Sequence, residues 1–250
     1  TDEITKFSEL LKTFLNHFKS EDSNFNILRK RALKTINPLR SNAFIDFFEI
    51  IYNTYSNTLK QKDEIDFNDM INETEKIISS NPKIVEYPYN QITHVLVDEF
   101  QDTSIARFKF LKSLKKINSN LKYFCVGDDW QSVYKFNGSN IKIMTNFKEN
   151  FGTSSITSLK DTFRFSQSMV EISTKFITKN KSQINKIIIS QNSSINHPIT
   201  IVRETENPDK NIELEEVLDE INLKDQNAEI LIIGRYNFTK TGLIKKIINE

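Results

Sequence analysis

The sequence predicts an α/β protein: a parallel sheet made of strand, helix, strand units behind a block of helices. Two observations carry that prediction. Residues 1 to about 85 contain no glycine and place Phe7, Leu10, Leu11, Phe14, Leu15 and Phe18 at the three- and four-residue spacing of a helix face. After them come two short runs rich in β-branched and aromatic residues, Ile92 to Val97 and Leu121 to Val126, each ending abruptly in acids at Asp98-Glu99 and Asp128-Asp129.

The elements follow in order. Pro38 after Asn37 marks a break between helices, and Ala43 to Leu59 carries the aromatic-rich stripe of a second buried helix. Phenylalanine at helical spacing is a packing signal, so this stripe is assigned to core and not to chemistry. Between the two apolar runs, Ile105, Phe108, Leu111 and Leu114 recur every three residues within Thr103 to Ile117, which reads as a crossover helix. Ligands of open parallel sheets bind beyond the carboxyl ends of the strands, so a site is expected near Asp98 and Asp128. Phe151-Gly152-Thr153-Ser154-Ser155 reads as a linker. Beyond it the pattern predicts a strand at Ser155 to Leu159, a helix from about Ser166 to Thr178, a strand at Ile199 to Arg203, an acidic helix near Asn211 to Ile221 and a strand at Glu229 to Ile233.

Composition narrows the function classes. The 250 residues balance 34 basic against 33 acidic side chains, a net charge of +1, so nucleic-acid binding must rely on a local surface. One cysteine, Cys125, forms no internal disulfide, and with His17, His94 and His197 scattered it leaves no zinc-type cluster. No apolar run nears the roughly 20 residues that cross a bilayer, and no secretory signal opens the chain. A cytoplasmic setting is the expectation. The five glycines are isolated, so neither G-x-x-x-x-G-K-[ST] nor G-x-G-x-x-G occurs.

Two strings carry the chemistry. In VLVDEFQDT (Val95 to Thr103) a strand delivers adjacent carboxylates. Asp98 can hold the water shell of a Mg²⁺ on nucleotide phosphates, and Glu99 can reach an attacking water as its base. The plainer reading is an acidic turn in which Asp102-Thr103 caps the next helix. In VGDDWQSVYKFNGS (Val126 to Ser139) a second strand closes with acids, an amide and three aromatics.

Together these strings resemble motifs II and III of the UvrD/Rep-like superfamily 1 DNA helicases, the Gly-Asp-Asp-Trp-Gln form being similar to the helicase IV branch. LKDTFRFSQSMVEISTKFI (Leu159 to Ile177) resembles motif IV, DFNDMI (Asp66 to Ile71) the segment ahead of motif II, and ILIIGRYN (Ile230 to Asn237) a later strand ending in arginine. The resemblance covers Asp66 to Asn237 in family order, with residues 1 to 60 matching only as a helical insertion. It implies an N-terminal helical insertion (1–88), the second half of one RecA-like parallel-sheet domain (89–152) and the start of another (153–250).

The resemblance also implies roles. Asp98 would coordinate Mg²⁺, Glu99 activate water, Gln131 sense the γ-phosphate of ATP, and Arg164 reach it as an arginine finger. Tyr134 and Phe136 would stack on single-stranded DNA, with Asn137 beside them. The family commonly has tryptophan then arginine where this chain has Phe136 then Asn137, and a third acid where it has Trp130, for which packing under the loop is expected. Gln101 and Asp102 match motif II and could equally make loop hydrogen bonds and a helix cap. Cys125 is expected to be an inert buried thiol. The family's P-loop is missing, so the chain reads as an internal segment of a bacterial ATP-dependent DNA helicase or translocase, moving 3′ to 5′ on single-stranded DNA and opening duplex, and inactive by itself. The rival expectation is a non-catalytic, helicase-derived module that binds DNA or protein.

Overall fold

The computed structural model describes residues 2–132, 138–201 and 212–233, which divide into two compact units, Thr1–Ser194 and Ile195–Glu250. The first unit opens with four helices, α1 (Asp2–Ser20), α2 (Phe25–Ala32), α3 (Pro38–Lys62) and α4 (Phe67–Ser80). Their starts are written locally. Asn24 accepts the Ile27 N–H and Asn37 the Arg40 N–H, each at 3.0 Å, with Pro38 at the first helical position of α3. Asp66 and Asp69 cap α4 reciprocally. The phenylalanine stripe is core only from Phe14 onward, while Phe7, Leu10 and Phe47 remain exposed. Phe14 meets Phe48 edge-on at 4.7 Å, Phe18 meets Tyr52 at 5.1 Å, and Phe48 is fully buried.

A short kinked turn of helix, α5 (Glu86–Tyr89), leads to β1 (His94–Val97), α6 (Ile105–Ile117) and β2 (Lys122–Cys125). β1 and β2 pair in parallel from His94 opposite Lys122 to Val97 opposite Cys125. A parallel pair needs a long crossover, and α6 supplies it. Ser104 caps α6, accepting the Arg107 N–H at 3.3 Å. Two short helices, α7 (Lys142–Thr145) and α8 (Phe147–Phe151), close a second core around Phe100, Leu111 and Ile143. Val95, Val97, Tyr123 and Cys125 pack against that core, while Leu96 and Phe124, one residue out of phase, lie exposed on the other face. Burial pushes the Tyr123 phenol up to about 12 and the Cys125 thiol up to about 11, which makes Cys125 a poor nucleophile.

A second parallel pair, β3 (Asp161–Ser166) and β4 (Ile189–Asn192), flanks α9 (Gln167–Ile177). α10 (Ile212–Lys224) lies in the second unit and matches the acidic helix expected there. The strand expected at Ser155 to Leu159 is irregular, and so are 199–201 and 229–233; Val202 and Arg203 lie outside the described residues. Their β-branched residues favour extended backbone, but a strand forms only where another chain segment takes its hydrogen bonds. The segment Ile189–Asn192 pairs with Asp161–Ser166 instead. Among the described residues no helix is long and apolar enough to cross a membrane.

Candidate functional site

The two strand ends of the first sheet lie side by side, because β1 and β2 run parallel and in register. At the end of β1 the chain turns sharply. Glu99 adopts a left-handed backbone (φ 48°, ψ 44°), which sends Phe100 into the core and leaves Asp98 and Glu99 exposed. One Asp98 oxygen accepts the Glu99 N–H at 2.9 Å.

Gln101, only 2% exposed, joins the two strand ends. Its amide nitrogen donates to Glu99 Oε2 at 2.6 Å, and its amide oxygen accepts the Asp128 N–H at 3.0 Å. The Phe100 N–H donates to the Val126 carbonyl at 2.8 Å beside it. This close approach requires glycine at 127, where a Cβ would sit 2.7 Å from Gln101 Oε1 and 3.1 Å from the backbone nitrogens of Gln101 and Phe100. Gln101 therefore makes the loop hydrogen bonds that its position allowed. Ser104 caps α6, and among the described residues Asp102 caps nothing. Its Oδ1 is buried without a partner among the described residues. Burial, and then the charge of Glu99, hold its carboxyl above the usual range.

Past β2, Asp128 starts a tight turn, its Oδ1 accepting the Trp130 N–H at 3.0 Å and its Oδ2 the amide of exposed Gln131 at 2.8 Å. A hydrogen-bonded chain thus runs from Glu99 through Gln101 and Asp128 to Gln131. The neighbouring Asp129 is 1% exposed, a burial that a carboxylate tolerates only with partners. Its Oδ2 accepts the Ile184 N–H at 2.7 Å, and Lys186 Nζ lies 2.8 Å from its Oδ1. Lys186 also bonds Asp128 Oδ1 and stands 4.8 Å over the Trp130 ring. The indole N–H donates to the Ile184 carbonyl at 3.0 Å, so Trp130 both packs and docks a distant segment. Burial would raise the Asp128 carboxyl, but hydrogen bonds from Lys186 and Gln131 outweigh it and hold the group below the usual range.

Of the residues singled out in the sequence, Asp98, Glu99 and Gln131 come together. Arg164 lies within β3 and is exposed; among the described residues its guanidinium makes no hydrogen bond or ion pair. Tyr134, Phe136 and Asn137 lie outside the described residues. At Gly138 (φ 86°) a Cβ would collide with Ser20 Oγ at the end of α1. Lys186 was not foreseen. Nothing local marks it, and only the need of a buried Asp129 for a cation could have pointed to it. No group of three or more metal-ligating side chains is found among the described residues.

Comparison with known proteins bears on the same residues. The family description "UvrD/REP helicase N-terminal domain" matches residues 2–152. DNA helicase IV of Escherichia coli (strain K12) is 32% identical over 193 residues, 77% of this chain and 26% of that protein. The putative ATP-dependent DNA helicase YjcD of Bacillus subtilis is 25% identical over 187 residues, 75% of this chain and 24% of that protein. A probable DNA helicase II homolog of Mycoplasma capricolum is 33% identical over 147 residues, 59% and 20% of the two chains. The chain thus spans about a quarter or less of these relatives. With that description matching well over half of its residues, and with acid and amide seated at adjacent strand ends, the chain belongs to the UvrD/REP helicase family.

Proposed function

We propose that this chain is part of an ATP-dependent DNA helicase, contributing pieces of two RecA-like domains and a helical insertion to a motor that couples Mg·ATP hydrolysis to movement along single-stranded DNA, 3′ to 5′ by family resemblance. The supporting observation is the chain of hydrogen bonds that holds the Glu99 carboxylate and the Gln131 amide at the open end of one parallel sheet.

The exposed residues suit the cofactor. Asp98 spends one oxygen on a backbone N–H and, among the described residues, leaves the other uncommitted, and Mg²⁺ typically keeps several waters around one or two carboxylates. Asp98 would hold the ion through that oxygen. A glycine-rich phosphate cradle is absent from these 250 residues, so in this reading a longer protein supplies it. Mg·ATP, when bound, supplies a phosphoanhydride whose charge the metal offsets.

The chain's own residues then have distinct tasks. Glu99, oriented by Gln101, takes a proton from water. Gln131 offers an amide that donates to phosphate oxygen without adding charge. Arg164 brings a fixed guanidinium fork to the developing negative charge. Tyr134 and Phe136 offer faces on which any base stacks, with Asn137 beside them.

Glu99→Gln tests the reading with little geometric change, since glutamine keeps an acceptor for Gln101. In the full-length protein with Mg²⁺ and single-stranded DNA, kcat for ATP should fall by about 10² or more while nucleotide binding persists. Unchanged turnover would remove Glu99 from the chemistry and the hydrolytic reading with it.

A further inference from the structure

We propose that Lys186 is a positioning residue: through the Asp128 carboxylate it sets the direction of the Gln131 amide, and it makes the Gln131 loop and the approach to β4 move as one piece. Its functional consequence rests on the nucleotide-facing reading of Gln131.

The geometry carries the proposal. Gln131 is exposed, and among the described residues its amide is held by Asp128 Oδ2 alone, at 2.8 Å. Where that amide points therefore depends on how the Asp128 carboxylate is oriented. Two contacts fix the other oxygen, the Trp130 N–H at 3.0 Å and the Lys186 ammonium. The first is local to the turn. The second arrives from a residue 58 positions away.

Lys186 is itself held from several sides. It is 18% exposed, it shares its protons between Asp128 and the buried Asp129, and the Trp130 face lies under it. Ile184, two residues earlier, offers both main-chain groups to the same loop, its N–H to Asp129 and its carbonyl to Trp130. Three residues after Lys186 begins β4, the partner of the strand that bears Arg164. The clamp thus ties the loop of one proposed phosphate-facing residue to the sheet of the other.

The plainer role, neutralising buried Asp129, is separable by design. In Lys186→Met/Asp129→Asn the buried charge and its counter-ion leave together, and asparagine keeps an acceptor for Ile184, so the fold should survive by circular dichroism. Trp130 is the sole tryptophan of these 250 residues and reports the clamp directly. Its emission should move to longer wavelength and its quenching by acrylamide should rise in the double variant, while Lys186→Arg restores both.

In the full-length protein the double variant should lower kcat for ATP roughly ten- to a hundredfold, the scale for a lost orienting contact, with KM nearly unchanged. In a Gln131→Ala background the same double substitution should add nothing. Multiplied losses in that background, or unaltered Trp130 emission, would overturn the proposal. If Gln131→Ala alone leaves turnover intact, the nucleotide reading of Gln131 fails, and the Trp130 emission still decides the clamp.

Discussion

In the helical block, Lys19 is 4% exposed, with its ammonium 2.6 Å from Asp66, 2.8 Å from Asp69 and 5.0 Å from the centre of the Tyr55 ring. At the strand ends, Lys186 likewise bridges two aspartates over an aromatic ring. The two clusters differ in what the acids do next. Asp66 and Asp69 cap α4, and Asp66 also accepts the Tyr55 hydroxyl at 2.9 Å, so every bond returns to the scaffold. Asp128 passes its second oxygen to exposed Gln131. A closed set of partners stabilises a fold, whereas a set with one open end can also aim a surface group.

The largest expected effect breaks the closed set. Lys19→Met would leave two carboxylates facing each other without their cation, and breaking one side of a buried ion pair costs several kcal/mol. Because Asp66 and Asp69 keep about a quarter of their exposure, a loss of about 3 kcal/mol is expected, at the low end of that range. Urea unfolding followed by circular dichroism measures it, and native Trp130 emission should not change. A loss near about 0.5 kcal/mol, the size of an ordinary surface substitution, would show that the aromatic cluster holds the block unaided.

How much of this was legible follows from the range of each interaction. The break at Asn37-Pro38 and the helix face from Phe14 onward are local patterns, and they matched; that Asn37 caps α3 came from the structure. DFNDMI resembles a family segment, and the spacing of Asp66 and Asp69 also spells a capping box; the lysine that joins them lies 47 residues from Asp66, in α1. β1 and β2 showed themselves by apolar runs that end in acids. Ser155 to Leu159 failed, because β-propensity names no partner strand. At the site, the sequence placed Asp98, Glu99 and Gln131 at the strand ends, where they lie, and their chemical roles remain the proposal made above. The bridge from Gln101 to Asp128, 27 residues apart, and the clamp from Lys186 leave no local trace, since they exist only once two strand ends meet.

A middle-sized effect sharpens the comparison from the open end. Gly127→Ala places a methyl 2.7 Å from Gln101 Oε1 and 3.1 Å from two backbone nitrogens, and main chain cannot yield as a side chain can. Overpacking of this kind should cost about 2 kcal/mol and displace Gln101 from between Glu99 and Asp128. If the role proposed for Glu99 holds, the full-length protein should lose turnover as well. Unchanged stability would mean that the strand ends have slack, contrary to a cluster whose parts are set by contact.

The smallest effect concerns the acid that neither lysine serves. Asp66 and Asp128 both have carboxyls held below the usual range, burial opposing the shift and hydrogen bonds from Lys19 and Lys186 winning. Groups lowered in the folded state add stability above the unfolded value of about 3.9 and lose it as pH falls through the folded one. Wild-type stability should therefore decline below about pH 4. Asp102 has the opposite sign. Burial, then Glu99, raises its carboxyl, so its ionised form costs stability at neutral pH and the cost disappears once acid protonates it in both states. Asp102→Asn should accordingly stabilise the chain at neutral pH by a few tenths of a kcal/mol, the shift being discounted for solvent screening, and by clearly less at about pH 3.5, where a carboxyl of ordinary value about 3.9 is mostly protonated. Paired urea titrations at the two pH values measure the difference. Equal stability at both would show that the orphaned Asp102 oxygen finds a partner in solution, and the contrast between served and unserved acids would then rest on Lys19 and Lys186 alone.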